Sequence, residues 1–197
     1  MVPSSNLRLF FALELPDEVT RHLGNVTKKL YLYRLPNIKW VNRQNIHLTL
    51  KFLGSTPDNM LDSLNAVTQT VVASVSPFTL EIEGIGTFPK MSRPRILWAG
   101  VRGNLEAMFD IKNRLDQALE TQGFAKDQRP FSPHLTIGRI NDQLSPQELE
   151  RLHQAIQEIN NLSPVYMPVN AVSLIESRLT RDGAVYSKTA GYEFGAI

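Results

Sequence analysis

His47-Leu48-Thr49-Leu50 decides how this chain reads, because the same pattern returns as His134-Leu135-Thr136-Ile137. In each copy an imidazole and a hydroxyl alternate with large aliphatics, and a period of two is that of a β-strand with one buried face. His and Thr then share the open face. Two such strands lying side by side would bring two imidazoles and two hydroxyls into one pocket, a set of groups suited to metal-free phosphoryl chemistry.

Working outward from the first motif, Leu7 to Leu15 is a short apolar run closed by Pro16, which predicts a strand buried on both faces. Pro16-Asp17-Glu18 opens a helix running to about Tyr33, with Val19, Leu23, Val26 and Leu30 on its inner face. Ile38 to Val41 is a short strand, and Asn42 to Asn45 a polar turn. The motif strand spans His47 to Leu53, ended by Gly54 and Pro57, and a helix from Asp58 to Val75 turns Leu61, Leu64, Val67, Val71 and Val72 inward.

Between the motifs, Phe78 to Ile85 and Ile96 to Val101 read as strands, and residues 86–95, rich in Gly, Pro and Arg, as a loop. Leu105 to Thr121 is an amphipathic helix closed by Gly123. The prolines of Arg129 to Pro133 keep the chain extended into the second motif strand, Pro133 to Ile140. Ser145-Pro146-Gln147-Glu148 is a capping box for a helix whose Leu149, Leu152, Ile156 and Ile159 face the core. Strands near Val165–Met167, Ala171–Arg178 and Ala184–Tyr192 follow, the last two joined at Asp182-Gly183. Helices separated by unequal numbers of short strands predict an α+β fold of antiparallel sheets flanked by helices. Each motif strand leads through a turn to an amphipathic helix, so a single domain over residues 1–197, made of two pseudo-symmetric lobes, is expected.

Composition narrows the partners. The 197 residues are 42% hydrophobic and 20% charged, an ordinary balance for a folded domain with a sizeable core. With 21 Lys+Arg against 19 Asp+Glu, the net charge of +2 is too small for binding nucleic acid mainly through long-range attraction; a small anion or an RNA end still fits. The absence of cysteine excludes disulfides, thiolate catalysis and Cys-ligated zinc. With no apolar run of about 18 residues and no charged-then-apolar leader, the expectation is a cytoplasmic monomer with no membrane partner.

A neutral imidazole takes a proton from water and an imidazolium gives one to a leaving oxygen, so a His pair can divide base and acid roles, with a bell-shaped pH dependence. The threonine hydroxyls can donate to non-bridging phosphate oxygens. Arg139 falls on the opposite face of a regular strand, and would reach the phosphate only through a bulge, a twist or the strand end. Phe10 is a candidate stacking partner for a base, although an aromatic in an apolar run is more often core. Lys90, Arg93 and Arg95 are either RNA contacts or solvated, and His22 and His153 read as solvated helix residues. Without H-E-x-x-H or further ligands, no metal and no cofactor is expected.

The two H-x-T-x motifs, Arg8-Leu9-Phe10-Phe11-Ala12-Leu13, the stretch Asn45 to Gly54, Arg95-Ile96-Leu97-Trp98-Ala99-Gly100, Arg129 to Arg139 and Gly183-Ala184-Val185-Tyr186 together resemble the 2H phosphoesterase superfamily. Within it, the chain looks most like the bacterial and archaeal RNA 2′,3′-cyclic phosphodiesterases, also called 2′-5′ RNA ligases. The resemblance implies a bilobal α+β fold with the site in a central cleft, no required metal, and hydrolysis of a terminal 2′,3′-cyclic phosphate to a 2′-phosphate. It implies that His47 is the proton donor to the departing 3′ oxygen, that His134 is the proton acceptor activating water, and that Thr49 and Thr136 hold the phosphate. Joining of 2′,5′ RNA ends is the same chemistry reversed. Two alternatives stand beside it: a non-catalytic nucleotide- or RNA-end-binding module on the same fold, and a phosphodiesterase for 2′,5′-linked oligonucleotides.

Overall fold

Leu9 to Leu13 are each at most 1% exposed, so strand β1 (Asn6–Glu14) is buried on both faces, as its unbroken apolar run predicts. The computed structural model describes residues 5–181 and 183–195. After β1 come α1 (Asp17–Leu32), β2 (Ile38–Trp40), β3 (His47–Pro57), α2 (Leu61–Val72), β4 (Phe78–Phe88) and β5 (Ile96–Gly103). They are followed by α3 (Leu105–Glu120), β6 (His134–Ile140), α4 (Pro146–Ile159), β7 (Val165–Val169), β8 (Ala171–Thr180) and β9 (Gly183–Glu193).

The strands form two antiparallel sheets, one of four in the order β3-β1-β8-β9 and one of five in the order β2-β6-β5-β4-β7. The fold is thus α+β with antiparallel pairing, as the uneven alternation of helices and strands predicts. Helices α2 and α3 pack on each other and cover the four-stranded sheet at β9 and β3, while α1 and α4 pack together and cover the five-stranded sheet at β7 and β4. Two helix stripes are those of the sequence: Val19, Leu23, Val26 and Leu30 of α1, and Leu152, Ile156 and Ile159 of α4, are buried, with Leu149 partly so. The capping box forms, with the Ser145 N–H donating to Glu148 Oε2 at 2.7 Å and the Glu148 N–H to Ser145 Oγ at 3.3 Å.

Four boundaries differ from expectation. Gly54 does not end β3: it adopts φ 73°, absorbs a bulge opposite Leu9 and Phe10, and pairing continues to Pro57. Residues 86–88 are strand rather than loop, because Gly86 sits opposite Trp98 and a Cβ there would lie 2.3 Å from the indole; the glycine serves a close approach, not a turn. The Asp58 helix begins as a 3₁₀ turn (Asp58–Met60), and α2 stops at Val72. Its inward stripe is Leu64, Thr68 and Val72, with the Thr68 hydroxyl donating to the Leu64 carbonyl at 2.7 Å; Val67 and Val71 are only partly buried. Of the expected β8–β9 turn, Asp182 lies outside the described residues, and the pairing runs as far as Thr180 with Gly183.

Candidate active site

Both motif strands carry their His and Thr to one face, and the register against neighbouring strands shows how. On β3, His47 lies opposite Glu14, Thr49 opposite Ala12 and Phe52 opposite Phe10. Glu14, Ala12 and Phe10 alternate along β1 and so share a face, which places His47, Thr49 and Phe52 together on it. Leu50 is the extra residue of a bulge that shifts the parity of the strand after the motif. On β6, His134 lies opposite Gly100, Thr136 opposite Trp98 and Arg139 opposite Ile96, again alternate residues of one strand, and Ile137 is the extra residue. The bulge falls at the fourth position of each motif. It brings the exposed Arg139 onto the His134 and Thr136 face, which a regular strand would not do. β3 and β6 belong to different sheets yet pack against each other, so the two motif strands are neighbours in the fold.

The imidazoles are held alike. His47 Nδ1 lies 2.8 Å from the Asn45 carbonyl oxygen, and His134 Nδ1 lies 2.7 Å from that of Ser132. A carbonyl only accepts, so in each ring Nδ1 carries the proton and the neutral form presents an unprotonated Nε2. Among the described residues neither Nε2 has a protein partner, and neither do the Thr49 and Thr136 hydroxyls. His47 is packed between Phe10, ring centroids 4.7 Å apart, and the edge of Tyr186 at 5.1 Å. Its burial there lowers its pKa from the ordinary imidazole value, outweighing the opposite pull of the Asn45 hydrogen bond. His134 meets the edge of Phe88 at 5.0 Å.

The expected base contact of Phe10 is corrected. Its ring is 1% exposed, closed in by His47, Phe52 and Tyr186, so no base can lie on it; it packs against the imidazole instead. The aromatic that sequence reasoning missed is Phe52, 64% exposed on the same face and 5.7 Å from Phe10. A cavity of about 270 Å³ opens beside His47, lined by Glu14, Arg43, Ile175, Tyr186 and Lys188 among others. Glu14 accepts from Lys188 Nζ at 2.7 Å and from the Ser173 hydroxyl; burial alone would raise its pKa, and these hydrogen bonds with the Lys188 charge hold it below the usual carboxylate value. Arg95 donates to the Asn141 carbonyl at 2.9 Å, so it ties its loop to the segment after β6, whereas Lys90 and Arg93 are exposed. His153 is exposed on α4, and His22 is half-buried on α1.

Two antiparallel sheets flanked by helices, each sheet carrying one His-x-Thr strand, make up a two-histidine phosphoesterase fold. The chain belongs to the 2′-5′ RNA ligase superfamily, whose family model matches residues 15–181. It is 32% identical over 181 residues to the RNA 2′,3′-cyclic phosphodiesterase of Methanothermobacter thermautotrophicus, covering 92% of this chain and 95% of that protein. To the protein of the same name from Thermotoga maritima it is 29% identical over 180 residues, covering 91% of each. Among solved structures, TT0787 of Thermus thermophilus superposes with a TM-score of 0.77 at 25% identity, over 96% of this chain and 98% of that one. E. coli LigT complexed with 3′-AMP superposes with a TM-score of 0.76 at 22% identity, over 98% of this chain and all of that one, a likeness of fold.

Proposed function

We propose that this protein is an RNA 2′,3′-cyclic phosphodiesterase, acting on RNA or nucleotide ends that carry a 2′,3′-cyclic phosphate and leaving a 2′-phosphate. The observation that carries the reading is the matched pair of Nδ1–H···O=C bonds, which leaves two Nε2 atoms and two threonine hydroxyls without protein partners on the motif faces. His134 Nε2 takes a proton from water as its oxygen bonds to phosphorus. The P–O3′ bond breaks, and protonated His47 gives its Nε2 proton to the departing oxygen. Thr49 and Thr136 donate to the non-bridging oxygens, whose charge grows in the transition state, and Arg139 adds a cation on the same side. Phe52 offers its exposed ring to the terminal base. With a ribose 5′-hydroxyl in place of water as the attacking group, and the 3′ oxygen again departing with the His47 proton, the same displacement joins a 2′-5′ linkage.

The relatives named RNA 2′,3′-cyclic phosphodiesterase and the adenosine nucleotide in the LigT structure support this substrate class. The test is incubation of the purified protein, with EDTA and no added metal, with 2′,3′-cyclic mononucleotides and cyclic-phosphate-ended RNA, the products being identified by phosphorus NMR. A 2′-phosphate product is expected. Saturable binding without product would assign a nucleotide-binding module, and cleavage confined to 2′,5′-linked oligonucleotides would assign that phosphodiesterase.

A further inference from the structure

Residues 125–133, which deliver His134, have almost nothing of their own to hold them. Among the described residues the stretch contains no helix or strand, and no backbone-to-backbone hydrogen bond outside the regular elements involves it. The corresponding segment before His47 is different. There Asn45 closes a 3₁₀ turn, its N–H donating to the Asn42 carbonyl at 2.7 Å and its side-chain amide to the Ala184 carbonyl at 3.2 Å. Yet the Ser132 carbonyl must be placed as well as that of Asn45, since it sets the tautomer of His134.

Side chains from outside the segment hold it. Lys51 Nζ, on a residue 2% exposed, donates to the Ala125 carbonyl at 2.6 Å and lies 3.3 Å from Asp116 and 3.4 Å from Asp127. Lys112 Nζ bonds Asp116 and, at 3.0 Å, Asp127, and stands 5.5 Å from the centre of the Phe131 ring, which meets the edge of Phe109 at 5.9 Å. Two ammoniums and two carboxylates balance, as a buried cluster must. Asp116 Oδ1 has no hydrogen bond and faces only the Lys51 charge. Lys51 sits two residues past Thr49, opposite Phe11, on the core face of β3. The matching residue of β6 is Gly138, where a Cβ would lie 3.1 Å from Ile38 and 3.4 Å from Trp40, so no reciprocal device fits there.

We propose that Lys51, assisted by Lys112, is a positioning residue for His134: a side chain from the strand of one histidine anchors the segment that orients the other. The proposal rests on the reading of His134 as the base. Lys51→Met leaves two carboxylates to one ammonium and endangers folding, so Asp127→Asn, whose side chain is 45% exposed, carries the test. It removes the two ion pairs to the segment, leaves both lysines on Asp116 and spares the Lys51–Ala125 bond. In Asp127→Asn, kcat on a 2′,3′-cyclic nucleotide is expected to fall by up to about 10²-fold with KM little changed. Imidazole nitrogen NMR should show His134 as mixed tautomers while His47 keeps its Nδ1–H form; folded Lys51→Met should show the same pattern more strongly. An unchanged His134 spectrum, or equal disturbance of both histidines, would overturn the proposal. A wild-type protein without turnover would count against the activity, and the nitrogen spectra would then decide this inference alone.

Discussion

The ring of Phe10 lies 4.7 Å from the imidazole of His47 and is tilted from it by 31°, so an apolar side chain walls the group assigned as proton donor. Burial lowers the pKa of His47 from its ordinary 6.5. An acid must hold its proton to act, and kcat/KM reports the free enzyme. The alkaline limb of kcat/KM should therefore fall below pH 6.5. Phe10→Ala, which lets water reach the ring, should move that limb upward; a limb that stays in place would remove His47 from the donor role. The lowered pKa also means that the unfolded chain binds more protons, so this group's contribution to stability rises with pH through the window just beneath 6.5.

His47→Ala and His134→Ala should each lower kcat by about 10² to 10⁴-fold without metal. On the proposed mechanism the two serve one proton transfer sequence, so the double variant should cost little more than the worse single one. Steady-state turnover of a cyclic nucleotide in EDTA measures all three, and undiminished turnover in either single variant would contradict the assignment.

Thr49→Val and Thr136→Val test the anion-binding hydroxyls. Loss of one preorganised donor costs about 10² to 10³-fold in kcat. KM should move far less, because the donor acts on charge that develops at the transition state.

Phe52 and Arg139 occupy the same place after their motif threonines but bear different chemistry. Phe52→Ala should raise KM for a nucleotide substrate by the equivalent of about 1–3 kcal/mol, the worth of one stacked base, leaving kcat near wild type. Arg139→Ala should lower kcat/KM by the equivalent of about 1.5–3 kcal/mol, a charged hydrogen bond lost. Arg139→Lys should recover only part of it.

Gly100, opposite His134, tests how tightly β4 and β5 approach behind the second motif. A Cβ there would stand 2.5 Å from the Glu83 carbonyl oxygen, a backbone atom that cannot swing aside. Gly100→Ala should destabilise the fold by about 1–3 kcal/mol, seen as a lower melting temperature.

Much of this is legible in the chain. The doubly buried β1, the apolar stripes of α1 and α4 and the Ser145 capping box depend on local composition and spacing, and all form. The bulges at Leu50 and Ile137 depend on the register of a partner strand, which local spacing does not carry. Their consequences are hidden with them: Arg139 needs a bulge to reach the site face, and Phe52 yields to Phe10 in a reading without register. Gly86 reads as a turn because only Trp98, across the strand pair, explains it. Nothing local to Lys51 marks it as buried, since its partners, Asp116 and Asp127, lie far along the chain.

Each imidazole hangs from a neutral carbonyl, not a carboxylate, and the one acid opposite a motif histidine, Glu14, is already engaged by Lys188 and Ser173. Among the described residues neither ring therefore has a permanent counter-ion. On the proposed mechanism, a phosphate anion bound at the pair would supply the negative charge against which one histidine becomes cationic. The same pair would serve water or a ribose 5′-hydroxyl as the attacking group, and the outcome would turn on which of the two reaches phosphorus.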